Sequence, residues 1–178
     1  MEEKSKILTS EPFDRTLMRI SHEILENNSD EKELCVVGIL RRGASLARQI
    51  ADNLAKLSDK KIYLGNLDIT FYRDDLTSAF PDPSIRKSNI DFSVTDKVVI
   101  IVDDVLFTGR TARAAMDALI DLGRPRKIQL AVLIDRGHRE LPIRGDYVGK
   151  NVPTSRRELV SVRVPEYDGV KEAVILSL

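Results

Sequence analysis

The feature that most constrains the fold is an unbroken run of β-branched residues from Val98 to Val102. Because the run lacks polar alternation, it is typical of a strand that is buried on both faces of a parallel sheet. Two acids, Asp103 and Asp104, follow directly, and the residues from Thr108 to Thr111 (Thr-Gly-Arg-Thr) stand before a helical pattern. The sequence therefore predicts a central strand that leads through two acids into a glycine-containing loop.

Strand and helix patterns alternate around this run. Apolar runs predict strands at 35–39, 64–72, 128–134, 159–164 and 170–176. Helical spacing predicts a first helix capped by Ser10, with Phe13, Leu17, Ile20 and Ile24 as its buried stripe, and further helices at 46–57 and 111–122. Repeated strand-helix-strand units imply right-handed crossovers and ligand binding beyond the carboxyl ends of the strands. We predict one α/β domain over residues 1–178, with a central, mostly parallel sheet flanked by helices.

Composition excludes several classes of function. The chain has 178 residues, 42% of them apolar, and its 28 basic and 28 acidic side chains give a formal net charge of zero. One core is therefore expected, and no global field attracts nucleic acid or a membrane. The charged N-terminus and the lack of an apolar stretch of about 20 residues predict a cytoplasmic protein without a membrane partner. A single cysteine, Cys35, excludes a disulfide framework and a thiolate metal cluster.

The strand end and its loop suit a sugar phosphate. Hydroxyl groups, backbone N–H groups near Gly109 and the start of a helix together form a receptor for a phosphate dianion. Asp103 and Asp104 can accept hydrogen bonds from ribose hydroxyls and favour an oxocarbenium-like sugar. A P-loop ATPase is less compatible, because residues 145–151 lack the required Gly-Lys-Ser/Thr spacing. A receiver-type acid cluster would need further acids and a lysine, and a capping role of Thr108 or Thr111 leaves the acid pair unexplained.

Residues 99–111 (VIIVDDVLFTGRT) resemble the signature of the type I phosphoribosyltransferases. The resemblance implies that fold, with a small hood and a flexible loop, and 5-phosphoribosyl 1-pyrophosphate as the donor. It implies Mg²⁺ as cofactor, bound mainly through pyrophosphate and ribose oxygens and without a metal site made by the protein alone. It also implies Asp103 and Asp104 as catalytic residues, a pyrophosphate loop at 41–43 that often contains a cis peptide, and a mobile flap at about 72–96. The implied substrate-binding residues are Arg41, Arg42, Arg73, Val105, Leu106, Phe107, Thr108, Gly109, Arg110, Thr111, Arg136 and Val160.

Phe107 bears on the choice of base. Purine-specific relatives commonly have an aspartate before the Thr-Gly step, where it meets N7 of the base. A phenyl ring can neither donate nor accept that proton, and uracil has no N7. Phe107 therefore favours a pyrimidine substrate.

Four further segments, 19–24, 67–77, 103–125 and 135–155, resemble the PyrR family, whose members are pyrimidine-operon attenuation regulators and uracil phosphoribosyltransferases. The resemblance implies that uracil is converted to UMP, that a hood and basic segment occupies about 135–157, and that a homodimer or homotetramer forms. It also implies UMP-dependent binding of a stem-loop in pyrimidine-operon leader RNA. Two alternatives stay open: a nucleotide-sensing RNA-binding regulator with little turnover, and a plain pyrimidine salvage enzyme.

The implied RNA surface is locally basic. Between residues 136 and 157 there are six Lys or Arg and two acids, and on the first helix three basic side chains fall opposite the apolar stripe. The alternative to RNA binding is a solvated helix face and loop. Met18 departs from the family pattern, because relatives often have threonine there, and it removes a hydroxyl group from this surface. The predicted RNA-binding residues are Arg15, Arg19, His22, His138, Arg139, Arg144 and Lys150.

Overall fold

The computed structural model describes residues 2–74 and 88–178. The strands in chain order are β1 (Glu2–Leu8), β2 (Glu33–Ile39), β3 (Lys61–Leu67), β4 (Val98–Leu106), β5 (Lys127–Asp135), β6 (Tyr147–Asn151), β7 (Glu158–Arg163) and β8 (Glu172–Ser177). The helices are α1 (Ser10–Asn27), α2 (Arg42–Leu57), α3 (Arg110–Leu122) and the short α4 (Pro165–Asp168), and a 3₁₀ turn spans Thr70–Tyr72.

A five-stranded parallel sheet with the order β3-β2-β4-β5-β6 organises the described chain. β4 occupies the middle of this order, as its β-branched sequence predicts. Val98, Ile100 and Val102 pack into one apolar cluster, whereas Val99 and Ile101 pack into another on the opposite face. Both faces of β4 are therefore covered, which confirms the predicted α/β class.

The helices lie on the two faces of that sheet. The stripe of α1 is buried as predicted and joins side chains of α2 in one apolar cluster, while alanines of α3 belong to the other cluster. The predicted cap of α1 is wrong: Thr9, in an extended conformation, is the N-cap, and its side chain makes no capping hydrogen bond. Ser10 instead begins the helix. In the described part of the chain, no helix has the length and apolarity to cross a bilayer.

A second, antiparallel sheet has the order β1-β8-β7 and is made from the two ends of the chain. The sequence predicts β7 and β8 closely but gives no signal for β1, whose side chains are mostly exposed. It also misses β6, which lies inside the predicted basic segment and pairs in parallel with β5. Of the predicted flap, residues 75–87 lie outside the described residues. Asn89 forms an antiparallel bridge with Asn66, and Val94 is buried.

Candidate active site

Two acids stand at the carboxyl end of the central strand. Asp103 is 9% exposed, and its carboxylate accepts a hydrogen bond from the backbone N–H of Asp104 at 2.9 Å. The Asp104 carboxylate in turn accepts one from the N–H of Val105 at 2.9 Å. Burial raises the pKa of both carboxyl groups, and for Asp103 the neighbouring charge of Asp104 raises the pKa further. Burying two adjacent carboxylates is costly, which is a common sign of a functional site.

A loop from the neighbouring strand faces these acids. The peptide bond between Leu40 and Arg41 is cis, as the resemblance implied for this position. Gly43 follows, and a Cβ at this glycine would lie 2.5 Å from the carbonyl oxygen of Val102. The absence of a side chain at Gly43 thus lets the loop pack directly against the end of β4. We refer to residues 40–43 as the arginine loop.

A cavity of about 330 Å³ separates the arginine loop from the acids. Its polar lining comes from the ends of three neighbouring strands, as expected for a site beyond the carboxyl edge of a parallel sheet. The wall includes both basic side chains of the arginine loop and both acids of β4. The lining residues include Leu40, Arg41, Arg42, Asp68, Thr70, Arg73, Asp103, Asp104, Val105 and Thr111. The structure therefore brings the two predicted catalytic acids together with five of the predicted substrate-binding residues, Arg41, Arg42, Arg73, Val105 and Thr111.

Arg42 is held by a residue that the sequence did not single out. Its Nε and Nη2 atoms donate to the two carboxylate oxygens of Asp168, at 3.2 and 2.8 Å. The Asp168 carboxylate also accepts from the backbone N–H of Val164 at 2.9 Å. The hydrogen bonds that Arg42 donates to Asp168 raise the pKa of the Arg42 guanidinium, which stays charged. A two-pronged pair of this kind fixes the plane of the guanidinium beside the cavity.

The loop after β4, residues 107–111, is called the Thr-Gly loop below. Gly109 is the N-cap of α3 and has a φ of 92°, a left-handed conformation that favours glycine. Thr111, in the first turn of α3, lines the cavity, so the start of this helix lies at the cavity wall. Helix starts of this kind bind phosphate groups.

Phe107 is held by a basic side chain from the next strand end. The guanidinium carbon of Arg136 lies 4.0 Å from the centre of the Phe107 ring, and the His138 ring meets it edge-on at 5.9 Å. Arg136 is 4% exposed and donates to Thr154 Oγ1 and to the carbonyl oxygens of Ser155 and Glu158, at 3.0, 3.1 and 2.8 Å. These hydrogen bonds fix the Arg136 guanidinium against the Phe107 ring.

Comparisons with known proteins agree with this geometry. Residues 4–166 match the family model described as a phosphoribosyl transferase domain. The bifunctional protein PyrR of Caldicellulosiruptor bescii is 56% identical over 178 residues, covering 100% of this chain and 98% of the relative. That of Pelotomaculum thermopropionicum is 56% identical over 174 residues, covering 98% and 96%. The chain belongs to the PyrR family of phosphoribosyltransferases. The predicted family and enzyme class are therefore confirmed.

Solved structures support the fold of this PyrR-family chain. A hypoxanthine phosphoribosyltransferase from Staphylococcus aureus has a TM-score of 0.72 at 20% identity, covering 97% of this chain and 92% of the other. One from Trypanosoma cruzi has a TM-score of 0.76 at 18% identity, covering 98% and 91%. At these identities the likeness concerns the fold, and the type I phosphoribosyltransferase fold is confirmed.

Seven of the predicted substrate residues lie outside the cavity wall: Phe107, Thr108, Gly109 and Arg136, described above, and Leu106, Arg110 and Val160. The guanidinium of Arg110 donates to the carboxylates of Glu140 and Asp74, each at 2.8 Å. The Leu106 side chain is buried at 3% exposure, and its carbonyl oxygen accepts from the N–H of Arg136 at 3.1 Å. Val160 is buried in β7 of the second sheet. For all twelve residues, inside or outside the cavity wall, a role in substrate binding stays a prediction.

The seven predicted RNA-binding residues divide by exposure. Arg15, His22, Arg144 and Lys150 are exposed. Arg19 is exposed as well, but its Nη2 donates to the carbonyl oxygens of Gly149 and Val148 at 2.5 and 3.2 Å, which ties α1 to β6.

The other two lie partly inside the protein. His138 has a φ of 64°, and its Nε2 lies 2.6 Å from the carbonyl oxygen of Thr154. The Arg139 side chain is 22% exposed and pairs with Asp135. Local positive charge in the sequence therefore does not by itself identify the cations that face solvent.

Three residues at or beside the cavity were not predicted from the sequence: Asp68, Thr70 and Asp168. Asp68 follows β3, and its carboxylate accepts from the N–H and the hydroxyl of Thr70 at 2.9 and 2.6 Å. The sequence places Asp68 inside the strand predicted at 64–72, whereas β3 ends at Leu67, so only the observed strand end puts Asp68 at the carboxyl edge of the sheet. Asp168 lies far from Arg42 in sequence, and no local pattern connects them.

Proposed function

We propose that this protein transfers the phosphoribosyl group of 5-phosphoribosyl 1-pyrophosphate to uracil, giving UMP and pyrophosphate, and that UMP controls its binding to pyrimidine-operon leader RNA. The observation that carries the enzymatic part is the cavity between the buried Asp103–Asp104 pair and the cis-peptide arginine loop. One side offers anions for a sugar that becomes cationic, and the other offers cations and backbone groups for a leaving pyrophosphate.

Each wall of the cavity has a chemical task in this reaction. The bond from C1 of the ribose to the pyrophosphate oxygen breaks, and a bond from C1 to a uracil nitrogen forms, with release of the proton of that nitrogen. Asp103 and Asp104 accept hydrogen bonds from the ribose hydroxyls and stabilise the positive charge that develops at C1. The Thr-Gly loop and the start of α3 hold the 5-phosphate. Arg41 and Arg42 favour the departing pyrophosphate through charge and hydrogen bonds.

The donor set at the cavity fits Mg²⁺. Among residues 2–74 and 88–178, no group of three or more His, Cys, Asp or Glu side chains converges as a metal site. Mg²⁺ commonly binds through one or two carboxylates together with substrate phosphates and water, and Asp103 and Asp104 supply carboxylates at the cavity. When bound, the ion supplies positive charge that lowers the barrier to pyrophosphate departure.

Phe107 and Arg136 support a pyrimidine as acceptor. The Phe107 ring is fixed by Arg136 and is 38% exposed, so it presents an apolar surface where a purine N7 would need a partner. A polar group without a partner in a closed site is costly. Turnover measured with uracil, hypoxanthine, guanine and adenine tests this assignment. We expect UMP formation from uracil, and efficient formation of IMP or another purine nucleotide would overturn it.

The RNA-binding part of the proposal is supported by the exposed basic residues Arg15, His22, Arg144 and Lys150. Basic side chains of this kind contact phosphates, so affinity must fall as salt rises. A gel-shift series with a leader hairpin across salt, with and without UMP, tests both the contact and its control. Binding that UMP strengthens supports the regulator, whereas an active enzyme that ignores the hairpin at low salt would be a plain salvage enzyme. Binding without useful turnover would instead identify a nucleotide sensor.

The proposal extends to assembly and location. We propose a cytoplasmic homodimer or homotetramer, and exposed apolar side chains such as Ile120 and Leu122, at 59% and 53%, are compatible with a covered surface. Light scattering over a range of protein concentrations measures the assembly directly, and a monomer at micromolar concentration would contradict it.

A further inference from the structure

The Thr-Gly loop packs against another loop, residues 136–146, which we call the basic loop. The backbone N–H groups of Glu140 and Leu141 both donate to the carbonyl oxygen of Thr108, at 2.9 and 3.1 Å. A Cβ at Gly109 would lie 3.4 Å from side-chain carbons of Leu141 and Ile143. The two loops therefore form one hydrogen-bonded unit, with the proposed nucleotide site on one side and the exposed Arg144 in the same basic loop.

Arg139 lies at the centre of this unit. Its Nη1 donates to the carbonyl oxygen of Phe107 at 2.8 Å, and its Nε donates to that of Ile143 at 2.8 Å. Its Nη2 pairs with the carboxylate of Asp135. One guanidinium thus connects the Thr-Gly loop, the end of β5 and the far end of the basic loop. An RNA phosphate that approached Arg139 would compete with a carboxylate and two carbonyl groups.

Peptide geometry links these contacts to the nucleotide. The cis peptide of the described residues lies at Leu40–Arg41, so the bonds from Phe107 to Thr108 and from Thr108 to Gly109 are trans. In a trans peptide the C=O and N–H groups point in opposite directions. Because the carbonyls of Phe107 and Thr108 face the basic loop, the N–H groups of Thr108 and Gly109 face away from it, and we place the phosphate of the nucleotide on that side.

We propose that Arg139 is a positioning residue that couples a phosphate in the Thr-Gly loop to the order of the basic loop, and so sets how strongly UMP promotes RNA binding. A phosphate that accepts these N–H groups polarises the same peptides and strengthens hydrogen bonds to their carbonyls. Arg139 and the amides of Glu140 and Leu141 are the donors of those bonds. This role replaces the predicted direct contact of Arg139 with RNA and rests on the proposed UMP-dependent regulation.

The first test uses UMP alone and needs no RNA. Hydrogen exchange of the amides in residues 138–146 is measured with and without saturating UMP in the wild type, in Arg139→Gln and in Arg144→Gln. We expect UMP to slow exchange at Glu140 and Leu141 in the wild type and in Arg144→Gln, and to lose most of that effect in Arg139→Gln. Exchange that UMP leaves unchanged in the wild type, or protects equally in Arg139→Gln, would overturn the coupling.

The second test separates coupling from direct contact. Hairpin affinity is measured with and without UMP over a salt series in the same three proteins. In Arg139→Gln the ratio of the two affinities falls toward one while the slope of log affinity against log salt keeps its wild-type value. In Arg144→Gln the ratio stays and the slope becomes shallower by about one unit. An Arg139→Gln protein with the wild-type ratio and a shallower slope would make Arg139 a direct RNA contact.

Asp135→Asn provides a second variant, in case Arg139→Gln folds poorly. It removes the charge that holds Nη2 and leaves the guanidinium in place. We expect a smaller loss of the UMP effect than in Arg139→Gln, and an undiminished UMP effect would count against the coupling. A wild type that turns over uracil but ignores the hairpin would contradict the proposed regulation, whereas the exchange experiment would still report on the coupling.

Discussion

The ends of the neighbouring strands β4 and β5 both present aspartate, but in different electrostatic settings. At the end of β4, Asp103 and Asp104 accept hydrogen bonds from backbone N–H groups, and burial raises the pKa of both. At the end of β5, Asp135 pairs with Arg139 and accepts from the N–H of Gly137 at 3.0 Å.

This difference distinguishes carboxylates that line a cavity from a carboxylate that fixes a loop. The β4 carboxylates line a cavity and are held at an energetic cost, which a cationic transition state would offset. The Asp135 carboxylate is already neutralised by a side chain of the same chain, and it fixes a loop. Similar residues at adjacent strand ends therefore have different settings: the β4 pair has the role that we propose at the reacting sugar, whereas Asp135 fixes the position of a loop.

The largest expected effect is on turnover. Replacing both Asp103 and Asp104 by Asn should lower uracil turnover by on the order of 10²-fold or more, because the charge that faces the developing sugar cation is lost. Asp135→Asn should lose at least tenfold less, since that carboxylate holds Arg139. Initial rates at saturating donor and Mg²⁺ measure the difference. Near wild-type rates in a folded double variant would contradict the proposed role of the β4 acids at the reacting sugar.

The next effect concerns stability at the end of β5. Arg136→Met should lower the free energy of unfolding by about 2–4 kcal/mol, because the carbonyl oxygens of Ser155 and Glu158 lose a buried donor. Arg144→Met, which changes an exposed arginine of the same loop, should stay within about 0.5 kcal/mol. Urea unfolding followed by circular dichroism measures both. Equal losses in the two variants would contradict the division of the basic loop into inward and outward arginines.

Stability should also depend on pH at the β4 end. Burial raises the pKa of Asp103 and Asp104, so the folded protein keeps protons that the unfolded chain releases. The contribution of this pair to the free energy of unfolding therefore falls as pH rises from about 4, the ordinary pKa of aspartate, toward the raised pKa values of the folded protein. The double Asn variant has no carboxylates to ionise at this position, so it should melt at a higher temperature than the wild type at pH 7 to 8. The gap should narrow as pH falls toward 4, and a gap that widens would reverse the assigned sign.

The smallest effect tests the outward cations. Arg15 lies on the exposed face of α1, and its side chain is 70% exposed. Arg15→Gln should make the slope of log RNA affinity against log salt shallower by about one unit. Arg48→Gln, an exposed change on α2, should leave the slope unchanged. Equal slopes for the wild type and Arg15→Gln would remove Arg15 from the RNA surface.

The sequence predicted the parts of this fold that local patterns determine. The β-branched run of β4, the stripe of α1 and the stop of α3 at Gly123 all report on residues close together in the chain. Strands β1 and β6 were missed because β1 is largely exposed and β6 is short and mixed in character. Their pairing with distant strands overrides weak local preference.

In the candidate site, too, the residues in contiguous motifs were predicted, whereas contacts between distant segments were not. The acids, the Thr-Gly loop and the arginine loop are contiguous motifs, and the structure brings both acids, both arginines of the arginine loop and Thr111 of the Thr-Gly loop around one cavity. The Arg42–Asp168 pair and the inward turn of Arg139 depend on contacts between separate segments. A local excess of positive charge predicted a basic segment, and within it Arg136 is buried and Arg139 is partly buried, both donating hydrogen bonds to backbone carbonyl groups.

The central claim is that one nucleotide site serves both catalysis at β4 and RNA control through the basic loop. Titration calorimetry of UMP into the protein, alone and saturated with the leader hairpin, tests it most directly. Linkage requires RNA to tighten UMP binding by the same factor by which UMP tightens RNA binding. The account predicts equal factors greater than one, whereas UMP affinity that does not change with the hairpin bound would contradict it.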